Sequence, residues 1–480
     1  MKRPTLLSRI AIVVVGWTTM TSVPLSESAR VVTASTPQTR LQVCPSDRVR
    51  VSTPAECGTI RVFENRRTRQ GRVIDIAFAR LRAERAAGNG AVFLLAGGPG
   101  SSGMSMAGLT EGWARPLRTT MDVVLVDQRG TGYSNPLRCP RDVEARPASS
   151  FGHVFPEPWI RQCRASLEPK ADLRQYTTDF AADDLDDVRA ALGYEQITLY
   201  GGSYGTRLAQ AYMKRYAQRA RAAVLDGTMP LDSKVPLTYA ATSQQALDRV
   251  VEDCARTAEC RTAHPALSSD FGKILARFSQ GAVQTSVAAP GRPPVPVPMS
   301  RGDFGYAIRG MLYDAKGVRS LPDMIGRAAA SGDISAFAQQ YWERQVRFDR
   351  GFSTGLHLSV LCAEDVPFIQ PQDVPAATTR TFLGEYLIDE YRRACALWPV
   401  AEIRPDFRQP VSASIPTLLI SGYFDPVTPP EFAERIARSL TASRYIVARQ
   451  GAHGSAGWCP AEPLFVLQKG TIVGMPGTCR

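Results

Sequence analysis

Three residues, in chain order Ser203, Asp425 and His453, have the types and settings that acyl-transfer chemistry requires. Ser203 is the centre of Gly201-Gly202-Ser203-Tyr204-Gly205, a G-x-S-x-G pentapeptide. A serine hydroxyl is a weak nucleophile and needs an adjacent base, with a third group to orient that base. The pentapeptide alone is also compatible with a plain turn holding a capping serine. Its context favours chemistry: the strand-like "QITLY" precedes it and the helical "TRLAQAYMKRY" follows at once. A strand, sharp turn and helix hold such a serine outward, with the next N–H facing a developing oxyanion.

Four histidines are available as the base: His153, His264, His357 and His453. His453, in "QGAHGSAG", follows the last strand-like run and falls where ligands bind in open α/β sheets. His264 precedes a proline, His153 lies in an irregular stretch, and His357 in "GLHLSVLCAED" reads as partly buried, so structural roles fit these three. Asp425, at the end of "TLLISGYFD" and 28 residues before His453, is the candidate acid, and Asp226 at the end of "AAVLDG" is its alternative. The order Ser…Asp…His is one of the known orders of this constellation. Asp183, Asp184, Asp186 and Asp187 read as a solvated acidic face near a helix start. Their spacing is not that of a calcium loop, and neither a metal nor a cofactor is expected. The loop "LLAGGPGSSG" (94–103) can supply a second oxyanion donor, because its glycines let backbone approach substrate. It lacks the patterns of phosphate-binding loops.

These residues need a scaffold. "GTIRVFEN" and "RVIDIAFARL" alternate with period two and predict paired strands. "AVFLLAGGPG", "DVVLVDQRG", "QITLY" and "AAVLDG" predict buried strands, and 179–193 predicts a helix capped by Asp179. The alternation breaks over 231–410, which holds helical stretches, the Pro-rich "APGRPPVPVPMS" and four cysteines, and it resumes at "IPTLLISGYFD". We therefore expect an α/β core with a mostly parallel sheet, covered on both faces and interrupted by a cap. The expected divisions are a signal peptide over 1–34, core over 35–230, a mainly helical cap over 231–410, and core again over 411–480 with a cysteine-bearing end.

The leader reading rests on Lys2, Arg3 and Arg9 before the apolar "IAIVVVGW", a stretch too short to span a bilayer. Cleavage near Ser26–Ser28 and near Val32–Ala34 both fit, and an uncleaved anchor is the alternative. No cysteine follows the apolar stretch to carry a lipid, so no stable membrane anchor is expected. Ten cysteines with no Cys-x-x-Cys fit an exported, disulfide-bonded protein. Sequence does not fix their connectivity; pairing of neighbours in chain order closes the shortest loops. The net charge is +12, of which residues 1–34 contribute +3. The densest basic cluster, "ENRRTRQGR" (64–72), reads as an exposed hairpin turn rather than a nucleic-acid surface.

Taken together, "GGPGSSG", "VVLVDQRGTGYSNP", "YGGSYGTRLAQAY", "GYFDPVTPP" and "GAHG" resemble the α/β-hydrolase superfamily. More narrowly, they are similar to its prolyl aminopeptidase and tripeptidyl aminopeptidase branch of serine peptidases, over about residues 58–230 and 411–460. The long insertion and cysteine-bearing end also resemble the secreted tripeptidyl aminopeptidase-like group. The resemblance implies the α/β-hydrolase fold, with Ser203 as nucleophile, Asp425 as acid, His453 as base, and an oxyanion hole from the Gly98 and Tyr204 N–H groups. It implies an exported exopeptidase acting on peptides with a free amino terminus, which Glu364 and Asp365 would bind. A surface pair or a structural ion pair at Glu364 and Asp365, a carboxylesterase using the same triad, and a non-catalytic binding protein are the alternatives. One departure is Ala96, where relatives often carry histidine before the Gly-Gly-Pro-Gly run.

Overall fold

A computed structural model describes residues 40–85 and 90–479; the expected leader, residues 1–34, lies outside the described residues. The strands are β1 (Gln42–Val43), β2 (Glu56–Asn65), β3 (Gln70–Leu81), β4 (Ala91–Leu95), β5 (Asp122–Val126), β6 (Ile197–Gly202), β7 (Ala220–Asp226), β8 (Val283–Val287), β9 (Val295–Met299), β10 (Thr417–Gly422) and β11 (Ser443–Ala448). Nine form one sheet in the order β1-β2-β3-β5-β4-β6-β7-β10-β11. The β1–β2, β2–β3 and β3–β5 pairs are antiparallel, and every pairing from β5–β4 to β10–β11 is parallel. The parallel strands therefore end on one edge. That edge receives the loops after β4, β6, β7, β10 and β11, where functional groups converge in open α/β sheets.

Side-chain alternation explains the two layers. Phe93, Val124 and Leu199 face the helices Thr178–Ala191, Tyr204–Arg215 and Pro430–Ala437. Val92, Val123 and Leu418 face the other way, toward Leu117 and the helix Ala461–Lys469. Because both faces are covered, the central strands read as continuous apolar runs.

The helix predicted over 179–193 spans Thr178–Ala191, and its N-cap is Thr177, whose hydroxyl accepts from Phe180 N at 3.4 Å. Asp179 is drawn instead into the first turn. The acidic face of this helix is solvated only in part: Asp187 is exposed, as expected, while Asp183 and Asp186 are half-buried. Asp184 is fully buried and takes Arg129 Nε and Nη2 at 2.6 and 2.8 Å, while Asp183, Asp186 and Asp187 pair with Arg215, Arg189 and Arg66. Three arginines distant in sequence, and Arg189 of the same helix, neutralise this run of aspartates.

The interrupting segment is mainly helical, with helices including Tyr239–Arg256, Arg301–Met311, Ser335–Gly351, Thr354–Glu364 and Tyr386–Ala396. Its Pro-rich stretch becomes β9, paired antiparallel with β8 alone. Pro296 and Pro298 alternate outward while Val297 and Met299 are buried, which suits an edge strand. Part of the first core segment also joins the cap: Leu137, Phe155 and Ile160 pack in one cluster with Phe304, Tyr341 and Tyr391.

Five disulfides link Cys44–Cys57, Cys139–Cys163, Cys254–Cys260, Cys362–Cys395 and Cys459–Cys479, the neighbour pairing expected from loop length. No helix among the described residues is long and apolar enough to cross a membrane.

Candidate active site

The corner after β6 is strained at one residue. Ser203 has φ 56° and ψ −123°, a region that non-glycine residues rarely occupy, and the helix Tyr204–Arg215 begins immediately after it. The turn is possible because Gly205 has no side chain. A Cβ there would lie 2.1 Å from Leu95 O on the neighbouring β4. The Ser203 N–H donates to Asp226 O at 2.8 Å, tying the corner to the end of β7.

Asp425 and His453 meet at the same edge. Asp425 is fully buried in the turn after β10, where its Oδ1 accepts the Val427 and Thr428 N–H groups at 2.8 Å each. Its Oδ2 accepts the Thr428 hydroxyl at 2.8 Å and lies 2.8 Å from His453 Nδ1. Burial pushes this carboxyl up, but the His453 imidazole and the N–H donors outweigh burial and hold it below its ordinary value. A carboxylate only accepts hydrogen bonds, so Nδ1 carries the proton and Nε2 is left as the basic nitrogen.

Asp226 has another task. Its oxygens accept the Ser455 N–H at 2.7 Å, the Ala456 N–H at 2.9 Å and the Tyr200 hydroxyl at 2.8 Å. It fixes the loop carrying His453 without touching the imidazole, and burial pushes its carboxyl above the ordinary value. The other histidines lie elsewhere or serve structure. His153 faces Glu390 at 2.9 Å, and His264 packs by Gly326. His357 is buried more completely than its sequence predicts. Its Nδ1 lies 2.9 Å from Pro99 O and its Nε2 2.7 Å from the Tyr391 hydroxyl.

Ser203, Gly98, His357 and His453 line a common cavity of about 390 Å³ beneath the cap. The Tyr204 N–H is at the first position of its helix, where no intrahelical acceptor exists. The Gly98 N–H has no hydrogen-bond acceptor among the described residues. The Gly97–Ser101 loop is held from both sides. Asp127, at the end of β5, accepts the Ser102 hydroxyl at 2.5 Å and the Met104 N–H at 3.0 Å. From the cap, the Ser353 N–H donates to Gly100 O at 2.9 Å, beside the His357 contact to Pro99. Asp127 and His357 thus brace the loop that follows Ala96. Asp127 escaped sequence reasoning although an aspartate ending a buried strand was a usable signal.

Glu364 and Asp365 do not reach the cavity, which corrects the expectation that they bind an amino group. Both are fully buried. Asp365 takes Arg207 Nη1 and Nη2 at 2.6 and 2.9 Å, and Glu364 accepts the Thr178 N–H and hydroxyl at 2.7 Å each. Burial pushes Glu364 up to about 7 against the pull of Arg207. The Thr178 hydroxyl in turn contacts the Tyr204 hydroxyl at 2.8 Å, so the pair supports the corner from behind. Sequence proximity to the cap gave no sign that these carboxylates face away from substrate. The cavity wall instead carries Arg141, Arg309 and Arg344, with Asp349 as its only carboxylate among the described residues.

A family model described as alpha/beta hydrolase fold matches residues 90–458. The chain is 28% identical over 437 residues to the serine protease Hip1 of Mycobacterium tuberculosis, covering 83% of this chain and 82% of that protein. It is 29% identical over 383 residues to carboxylesterase B of the same organism, covering 74% and 72% of the two chains. It is 29% identical over 195 residues to a tripeptidyl aminopeptidase of Streptomyces lividans, covering 37% and 36%.

Proposed function

The chain belongs to the alpha/beta hydrolase fold family, and from that premise we propose that it is an exported serine exopeptidase working through an acyl-enzyme. The observation that carries the reading is the 2.8 Å Asp425–His453 contact beside a strained Ser203 on one capped cavity. Ser203 Oγ attacks the substrate carbonyl while His453 Nε2 takes its proton. Asp425 keeps the imidazole in the required tautomer and stabilises the imidazolium, as in other serine triads. The Gly98 and Tyr204 N–H groups receive the oxyanion. His453 then returns the proton to the leaving group, and water releases the acyl group by the reverse sequence.

Serine hydrolase chemistry is common to the protease and esterase relatives. The peptidase reading draws on Hip1 and the tripeptidyl aminopeptidase. Export is supported by five disulfides, which fit an oxidising compartment. A carboxylesterase is the second reading, favoured by carboxylesterase B and by a triad that does not distinguish ester from amide. A fluorophosphonate probe should label the protein and not Ser203→Ala. A panel of aminoacyl and short peptidyl amides, with free or acetylated amino termini, set beside simple esters, separates the readings. Hydrolysis confined to esters overturns the peptidase, and labelling retained in Ser203→Ala overturns the nucleophile.

A further inference from the structure

Two guanidinium groups in the cavity have no hydrogen-bond acceptor among the described residues. Arg309 is 2% exposed, yet its Nε and Nη2 make no hydrogen bond among the described residues. Arg344 Nε is likewise buried and unpartnered. Neither arginine pairs with a carboxylate among the described residues, unlike Arg207 or Arg129. Aromatic rings cover their faces: Arg309 lies 3.9 Å from the Tyr239 ring centroid, and Arg344 lies 4.2 Å from that of Tyr313. Stacking stabilises the face of a guanidinium, but its N–H donors lie in the plane and still need acceptors.

The rest of the wall does not provide them. Arg141 donates to the carbonyls of Val154 and Ser149 at 3.1 and 2.5 Å. Asp349 accepts the N–H groups of Arg141 and Asp142 at 2.5 and 2.9 Å. A buried, unpaired cation is costly, so the site is built to be completed by an anion from outside. It is also close to the chemistry. The backbone carbonyl of Tyr313, the residue shared by both arginines, accepts the backbone N–H of His453 at 3.0 Å, and the two rings are 5.0 Å apart.

We propose that Arg309 and Arg344 form an anion subsite that receives a carboxylate carried by the substrate. The proposal rests on the serine hydrolase reading of the same cavity and adds the substrate class, acidic rather than neutral or cationic. Planar, forked donors suit a carboxylate. The carboxylate belongs to an acidic side chain or dicarboxylic acyl group, or else to the leaving group, and substrate pairs distinguish these sources.

Hydrolysis should be compared within matched pairs. The acyl pairs are nitrophenyl glutarate half-ester against glutaramate ester, and Glu against Gln amides of one chromogenic amine. The leaving-group pair is carboxynitrophenyl against nitrophenyl butyrate. The anionic member of at least one pair should be favoured about tenfold or more in kcat/KM, as expected for a charge-assisted hydrogen bond. Arg309→Gln and, at the less buried position, Arg344→Gln should each reduce that ratio toward one while Ser203 still accepts a fluorophosphonate. Glutarate, and not glutaramide, should bind Ser203→Ala in calorimetry. Ratios near one in every pair with labelling intact overturn the subsite, as does a preference that survives both arginine substitutions. Absence of labelling in the wild-type protein defeats the hydrolase reading instead, and glutarate binding then still decides the subsite.

Discussion

Both oxygens of Asp365 close on the guanidinium of Arg207, one helical turn beyond Ser203, at 2.6 and 2.9 Å. This buried pair joins the end of the cap helix Thr354–Glu364 to the helix that starts at the serine. The same Asp365 also accepts the Val235 N–H at 3.0 Å, at the entrance to the cap. Asp365 thus ties the cap segment to the helix that begins after Ser203.

Breaking that pair should cost stability. Asp365→Asn removes the bidentate partner of a fully buried guanidinium and leaves it Glu364 at 3.6 Å, a change that should destabilise by about 1–3 kcal/mol. The urea midpoint should fall, with selectivity between free and acetylated amino termini unchanged. A selective rise in KM for free amines, at unchanged stability, would restore the amine-binding role.

The two candidate acids should separate cleanly. Asp425→Asn should reduce kcat by about 10⁴, because an amide no longer fixes the imidazole tautomer. Asp226→Asn replaces an acceptor of two N–H groups and should lower stability by about 1–3 kcal/mol, with the smaller loss of kcat. Rates measured beside thermal midpoints check both. A greater kcat loss at Asp226 would reverse the assignment.

Gly100 should not tolerate a side chain. Its φ is 126°, and a Cβ would lie 2.8 Å from the Phe352 ring. Gly100→Ala should shift the loop that carries Gly98 and reduce kcat by about 10²–10³, the usual effect of losing one oxyanion donor. Adding Phe352→Leu should recover part of that loss by relieving the contact. Wild-type kcat in Gly100→Ala would show that the loop does not serve the oxyanion.

His357 should make stability depend on pH. Burial pushes its imidazole from 6.5 down to about 4. Between those values the unfolded chain takes up a proton that the folded protein does not. The contribution is therefore complete above about pH 6.5 and is lost as pH falls toward 4, to at most about 3 kcal/mol. Urea midpoints at several pH values should show a shallower acid-side decline in His357→Gln. Equal slopes would sink this account.

The central strands and the serine corner were legible because their determinants are local. Continuous apolar runs mark strands buried on both faces, and glycines around Ser203 mark a turn that side chains would block. The acidic helix was misread for the opposite reason. Arg66, Arg129 and Arg215, the partners of Asp187, Asp184 and Asp183, come from other elements, and only the i,i+3 pair Asp186–Arg189 is local. Glu364 and Asp365 were misplaced likewise, since adjacency in sequence does not say which way a helix end faces.

By itself, the sequence determined the alternation of strands and helices, the interruption by a cap, and the order Ser203, Asp425, His453. Each rests on periodicity or on turn chemistry within a few residues. Tertiary structure alone decided between Asp425 and Asp226 as the partner of His453. Asp226 ends β7 and Asp425 stands in the turn after β10, and only the paths of the neighbouring loops put one carboxylate against the imidazole and the other beneath its backbone. It also decided that the cavity is lined by arginines, because Arg309 and Arg344 lie on separate helices that converge only when the cap packs over the sheet.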